Sequence, residues 1–282
     1  MKQLSSYTIY LCFFIICQVS VLGTFAQTNR YKIIYRHCLQ MDTTKVLADT
    51  MGREAVLIGD NNASSYVFAK LPGNLTPKPE GITMENILNE KKSGTNKYTI
   101  GSGKRFDTIG NIVYFDKTND SIFVREKMIN DYVITKEKLP QINWKISIES
   151  KIIQQYTCMK ATCDFRGRSY IAWFTNEIPI SEGPWKFKGL PGLILEMEDT
   201  KQQVKLYATE IEYPTKETVT RFVESGIPIS LQKYMEYRNE EMHQQMKGVE
   251  AALQSQEHSD KVDLNTRVKT KIGLYGLEIR QN

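Results

Sequence analysis

Residues able to do acid–base, nucleophilic or metal chemistry are few in this chain and widely spaced. The three histidines are His37, His243 and His258. No His-x-x-x-His pair occurs, so the common helical zinc spacing is absent. A metal site or a triad needs several convergent partners, and solitary histidines are ordinarily surface or structural residues. No Gly-x-Ser-x-Gly segment marks a nucleophile elbow. Gly101-Ser102-Gly103-Lys104 echoes part of a phosphate-binding loop, but it lacks the first glycine at the required spacing and the Ser/Thr after the lysine. Glu196, Glu198 and Asp199 cluster where an apolar run ends. Paired carboxylates can serve acid–base work or hold calcium, but only in a cleft that shifts their pKa values, and an exposed strand end accounts for them without one. No catalytic residue, metal or cofactor is expected.

The unusual stretch is Glu177 to Leu195, which reads Glu-Ile-Pro-Ile-Ser-Glu-Gly-Pro-Trp-Lys-Phe-Lys-Gly-Leu-Pro-Gly-Leu-Ile-Leu. It starts where one strand pattern ends and finishes where another begins. Pro191-Gly192 suits a type II turn, with proline presetting the first central φ and glycine supplying a positive second φ. Gly183-Pro184 is a second turn signal. Trp185 and Phe187 lie between the turns and are too apolar for a solvated loop. The loop is therefore expected to fold back and bury its aromatics. Trp185, Phe187, Gly189, Leu190, Pro191 and Gly192 form the candidate binding set, with a structural plug as the favoured role.

This segment resembles the GLPGLI family, whose signature stands here as Gly189 to Ile194. The resemblance extends to Trp144, Cys158-Met159-Lys160-Ala161, the Gly167-Arg168 turn, Ala172-Trp173-Phe174, Ile178-Pro179 and Gly183-Pro184-Trp185, and covers Tyr31 to about Tyr213. Cys163 and everything after about Ile227 depart from the pattern. The resemblance implies an exported protein of Gram-negative bacteria, in the periplasm or at the cell surface, with no established activity. It carries over no catalytic residues. The resemblance also implies a place as an accessory module beside glycan-releasing amidases.

The N-terminus agrees with export. Lys2 precedes an apolar stretch from Tyr7 to Leu22, and Thr24-Phe25-Ala26 offers the small-x-small pattern of a signal-peptidase site. Thr8, Gln18 and Ser20 interrupt that stretch, which argues against a spanning anchor. Cys12 follows Leu11 and Cys17 follows Ile16, so neither has the small preceding residue that lipidation needs. Cleavage after Ala26 removes a single charge and takes the net charge from +5 to +4. Lysines and acids are interspersed, which excludes a nucleic-acid footprint. Of the five cysteines, Cys38, Cys158 and Cys163 remain after cleavage. Cys158 and Cys163 are five apart and would diverge on one strand, so a disulfide, if formed, involves Cys38; three buried thiols are the equal alternative.

Most of the remaining pattern is strand. Tyr31, Ile33, Tyr35 and Leu39 alternate with Lys32, Arg36 and Gln40. Short strands are expected at Ala55–Ile58 and Tyr66–Ala69 around a Gly59–Asn62 turn. Leu71–Gly81, with three prolines, reads as an exposed loop, and Thr83 as the cap of a short helix. Asn111–Phe115 and Ser121–Lys127 form a hairpin, followed by strands at Tyr132–Lys136 and Ile142–Gln155. Cys158–Phe165 and Arg168–Thr175 form a second hairpin turning at Arg166-Gly167. Its register puts Met159, Ala161, Cys163 and Phe165 beside Tyr170, Ala172 and Phe174. Leu193–Met197, Val204–Glu210 and Leu274–Ile279 complete the strands. Ser230 reads as the N-cap of an amphipathic helix whose stripe includes Leu231, Tyr234, Met235, Arg238, Met242, Met246, Val249 and Leu253.

The expected fold is mostly β, a single antiparallel sheet curled into an open barrel or sandwich with a C-terminal amphipathic helix. The expected organisation is a signal peptide at 1–26, a β domain at 27–226, and a helix and tail at 227–282. The function expected is an envelope-associated binding or assembly module that takes an envelope protein or a hydrophobic ligand as partner. A carrier of hydrophobic ligands, an enzyme with an unrecognised site and a glycan-related accessory module are the alternatives.

Overall fold

The structure, a computed structural model, describes residues 29–39, 52–69, 107–128, 131–220, 222, 224–240 and 247. The leader, the loop at 71–81, the short helix after Thr83, the fragment at 101–104, the last strand at 274–279, His243, His258 and most of the helix beyond residue 240 lie outside the described residues.

Among the described residues twelve strands join into one open sheet. Six come from the first half of the chain: β1 (Tyr31–Leu39), β2 (Arg53–Gly59), β3 (Ala63–Phe68), β4 (Asn111–Asp116), β5 (Ser121–Met128) and β6 (Asp131–Lys138). Five follow: β7 (Lys145–Ile153), β8 (Tyr156–Phe165), β9 (Arg168–Thr175), β10 (Leu193–Asp199) and β11 (Val204–Glu212). A two-residue strand, β12 (Ile227–Pro228), ends the series. The spatial order is β12-β6-β5-β4-β3-β2-β1-β11-β10-β9-β8-β7. Each half is thus an up-and-down meander of sequential neighbours, and the two meet at β1 and β11. All pairs are antiparallel except β12 with β6, which is parallel, so the all-antiparallel expectation needs that one correction.

Local chemistry explains the hairpins. Arg166 and Gly167 take φ values of 51° and 76°, the paired positive φ of a type I′ turn that matches strand twist. The β8–β9 register then pairs Met159 with Phe174, Ala161 with Ala172 and Cys163 with Tyr170, as the alternation predicts. The Asp116 carboxylate accepts from the Thr118 and Asn119 backbone N–H groups at 3.1 Å each, closing the β4–β5 turn. β7 starts later than its apolar pattern suggests. Trp144 donates its backbone N–H to Ile142 at 3.1 Å and its indole N–H to the Lys188 carbonyl at 2.9 Å, which turns the chain inward before Lys145.

One large core occupies the concave side, with residues from both meanders and from the β9–β10 loop. A smaller cluster lies at the β12 edge, where Tyr234 and Tyr237 of the helix (described over 231–240) pack on Met128 and Val133. Ser230 caps that helix, its hydroxyl accepting from the Lys233 N–H at 3.1 Å. Tyr234 donates to Glu126 at 2.5 Å, and Arg238 lies 3.8 Å from the same carboxylate. No described helix is long and apolar enough to cross a membrane.

Candidate functional site

The loop between β9 and β10 lies inside the curl of the sheet. Trp185, Phe187 and Leu190 are 3%, 0% and 1% exposed. The Phe187 ring meets Tyr170 edge-on at 4.7 Å and Phe165 at 5.6 Å, and the Trp185 ring meets Phe165 at 5.8 Å. Such tilted pairs set the positive ring edge against a negative face. Backbone bonds fix the path. Phe187 N–H donates to Pro184 at 3.1 Å, Ile194 N–H to Glu182 at 2.9 Å and Leu193 N–H to Ile178 at 3.1 Å.

Two glycines in the loop do work, by different means. Gly189 takes φ +97° and donates its N–H to Ser181 Oγ at 3.1 Å. Gly192 does not have the positive φ expected of a type II turn; a Cβ there would instead overlap the Thr175 carbonyl, so it is needed for close approach. The loop residue with positive φ besides Gly189 is Trp185, at φ 55°, an uncommon conformation for an aromatic side chain that its burial among rings holds in place. Of the six candidate binding residues Gly189 and Pro191 are exposed, and Trp185, Phe187, Leu190 and Gly192 are buried.

The loop carries its own ionic anchors. The Glu182 carboxylate, on the loop, accepts from Ser64 of β3 at 3.2 Å and pairs with Lys117 at 2.8 Å and Lys188 at 3.2 Å. Lys188 also sits 4.2 Å over the Phe115 ring. Glu137 of β6 pairs with Lys186, which is 1% exposed, and with Arg166. These contacts tie the loop across the concavity to the opposite meander. The signal in the sequence is the alternation Trp185-Lys186-Phe187-Lys188, which looks like a half-buried strand but supplies rings and cations to one interior.

The other chemical candidates do not converge. Asp199 accepts from Arg168 at 2.6 Å and from the N–H groups of Gln203 and Val204 at 2.7 and 2.8 Å, a strand-end clamp. Glu196 points to the convex face and pairs with Lys151. No group of three metal-ligating residues occurs among the described residues. His37 is buried, its ring stacked on Phe68 at 5.0 Å and 3.4 Å from Tyr66 Oη, and its Nε2 has no hydrogen-bond partner. Burial lowers its pKa to about 4. Cys38, Cys158 and Cys163 are buried thiols, none in a disulfide. Burial pushes Cys158 up to about 11, with the Glu196 charge adding to it, and Cys163 to about 12, which makes both poor nucleophiles at neutral pH.

The accessible chemistry lies on the convex face. Strand register lines up Lys160, Trp173, Glu196, Tyr207, Arg36 and Glu54 as successive partners across β8, β9, β10, β11, β1 and β2. All six are half-buried or exposed. The Lys151 ammonium caps the Trp173 ring at 4.5 Å and Lys205 lies 5.3 Å over Tyr207. Nothing in the sequence showed this row, because it comes from register between strands up to about 170 residues apart.

A family model described as a protein of unknown function (Porph_ging) matches residues 166–196, the turn into β9, β9 itself, the loop and the start of β10. No curated protein matches the chain. Two solved structures of PNGF-II, in P21 and C2 space groups, are similar to 74% of this chain, with TM-scores of 0.47 and 0.46 and identities of 14% and 15%. The chain spans only about a third of those proteins, 33% and 32% of their lengths.

Proposed function

We propose that this chain is an exported, envelope-associated binding module of a Gram-negative bacterium, that it belongs with the GLPGLI family, and that it docks a protein partner on its convex face without catalysing a reaction. The row Lys160-Trp173-Glu196-Tyr207-Arg36-Glu54 carries this reading. Trp, Tyr and Arg dominate the energetics of protein interfaces, because each buries a large apolar area while keeping a polar tip. The row presents all three types at once, interleaved with carboxylates that give orientation. The concave side, by contrast, is filled by the chain's own loop.

The test is photocrosslinking in intact cells from a probe at position 207, followed by mass spectrometry. One protein should be trapped, and Trp173→Ala and Arg36→Ala should each abolish trapping while leaving the melting temperature within a degree or two of wild type. Capture of the same protein by both variants, or no capture from the convex face, would overturn the reading.

A further inference from the structure

The two edges of the sheet are built differently. At one edge β6 is covered by β12 and the helix. At the other, β7 has no neighbour beyond it among the described residues, and it carries Ile146, Ile148 and Ile152 at 49%, 101% and 75% exposure. Edge strands usually hide behind charge, proline or cover, because their free N–H and C=O groups are a template for another strand. Three bare isoleucines on such an edge call for a partner.

The β7–β8 hairpin shows which backbone groups are free. Ile153 and Tyr156 close a two-residue turn, Lys151 lies opposite Cys158 and Ile152 opposite Thr157. Thr157 sends its N–H away from β7, to the Glu177 carboxylate at 2.7 Å. Ile152 opposite it therefore faces its N–H and C=O outward, and by the two-residue repeat so does Ser150. The side chains divide by face. Ser150 pairs with Met159 and Ile146 with Ala161 on the concave side, Ile152 is in the same phase as Ser150, and Ile148 lies in a bulge between Ile146 and Ser150, where β7 runs three residues against one of β8. Glu149 bonds Lys160 at 2.9 Å, and Lys151 pairs with Glu196, both on the convex side.

We infer that β7 pairs with β7 of a second copy of this chain, antiparallel, with Ser150 on the two-fold axis. This goes beyond the docking role of the convex face and does not depend on it. In this register Ile148 meets Ile152 of the other copy, twice, on the concave side. Glu149 meets Lys151 of the other copy, twice, on the convex side. Each seam then reads Lys160, Glu149, Lys151, Glu196 across the two molecules, an unbroken alternation of charge that joins two ion pairs already present in each copy. Neighbouring registers fail: centring on Glu149 opposes like carboxylates, and centring on Lys151 opposes like ammonium groups. The open edge supplies the hydrogen bonds, the isoleucines supply apolar area, and the charges select the register.

The register has a distinctive signature in mixed charge variants of the full exported chain. Glu149→Lys alone places two lysines opposite each other at both seams, and Lys151→Glu alone does the same with carboxylates. Either variant by itself should raise the dimer dissociation constant on the order of tenfold. An equimolar mixture of the two should regain wild-type dimerisation, because each seam again joins opposite charges. Sedimentation velocity reads all three samples. A Ser150→Cys variant should also form a covalent dimer under mild oxidation, whereas Ser147→Cys should not. A wild-type chain that stays monomeric at every concentration, a mixture that fails to recover, or crosslinking at 147 in place of 150 would overturn the proposal. Melting temperatures of the variants near wild type exclude loss of folding as the cause.

Discussion

At the scale of single residues, His37 couples the fold to acid. Its buried ring has a pKa lowered from 6.5 to about 4, so the folded chain holds it neutral while the unfolded chain protonates it. Stability should be complete above pH 6.5 and fall as pH drops toward 4, by up to about 3 kcal/mol. His37→Phe keeps the stack on Phe68 and removes the titration, so its unfolding free energy should vary less across that window than wild type does; parallel slopes in urea titrations at several pH values would refute this. Trp185→Ala should cost about 3–5 kcal/mol by opening a cavity beside Phe165 and Phe187. Gly192→Ala should destabilise by about 1–3 kcal/mol, because even a methyl group displaces the Thr175 carbonyl. Thermal unfolding checks both, and unchanged melting temperatures would show that the loop closes nothing. Burial of Trp185 and Phe187 was legible from residue type alone. The reason for Gly192 was not, since a close approach to a neighbouring strand leaves no trace in the local sequence.

At the scale of elements, hairpins were the most legible feature, because Arg166-Gly167 and the alternating residues around it specify both turn and register locally. The helix start was legible for the same reason: Ser230 has the hydroxyl that the first turn needs. Tyr237, buried against Met128 and Val133, was missed, because the helical stripe widens once the helix meets a sheet. The ionic anchors of the loop were also invisible, since their partners come from β3, the β4–β5 turn and β6. They yield a sharp expectation. Glu137→Gln leaves the Lys186 ammonium and the Arg166 guanidinium without their shared carboxylate in a buried site, and should cost about 3–5 kcal/mol. Glu137→Gln combined with Lys186→Met should recover part of that loss, and denaturant midpoints of the two variants decide it. No recovery would mean that Lys186 has no energetic link to Glu137.

At the scale of the whole molecule, the mostly β class and the open sheet followed from strand count and short links, but the strand order could not, because no local signal says that β1 lies beside β11. Export belongs to this scale too. Material from cells should have an intact mass beginning at Gln27, and retention of Met1 to Ala26 would contradict the leader reading. The placement of β1 has a kinetic meaning. Tyr35 pairs with Ala208 and His37 with Leu206, so the strand made first finds its second neighbour only after nearly the whole sheet has been made. Each meander can zip up from local hairpins, whereas the β1–β11 seam demands a long loop closure, which slows folding. Under the export proposed above, a chain threaded across a membrane gains from that delay, because the two meanders cannot join until β11 has emerged. The same seam makes the protein divisible. A cut between Leu139 and Trp144 separates the two meanders, and fragments expressed together should reassemble through β1 and β11 with the loop's Lys186 reaching Glu137 of the other piece.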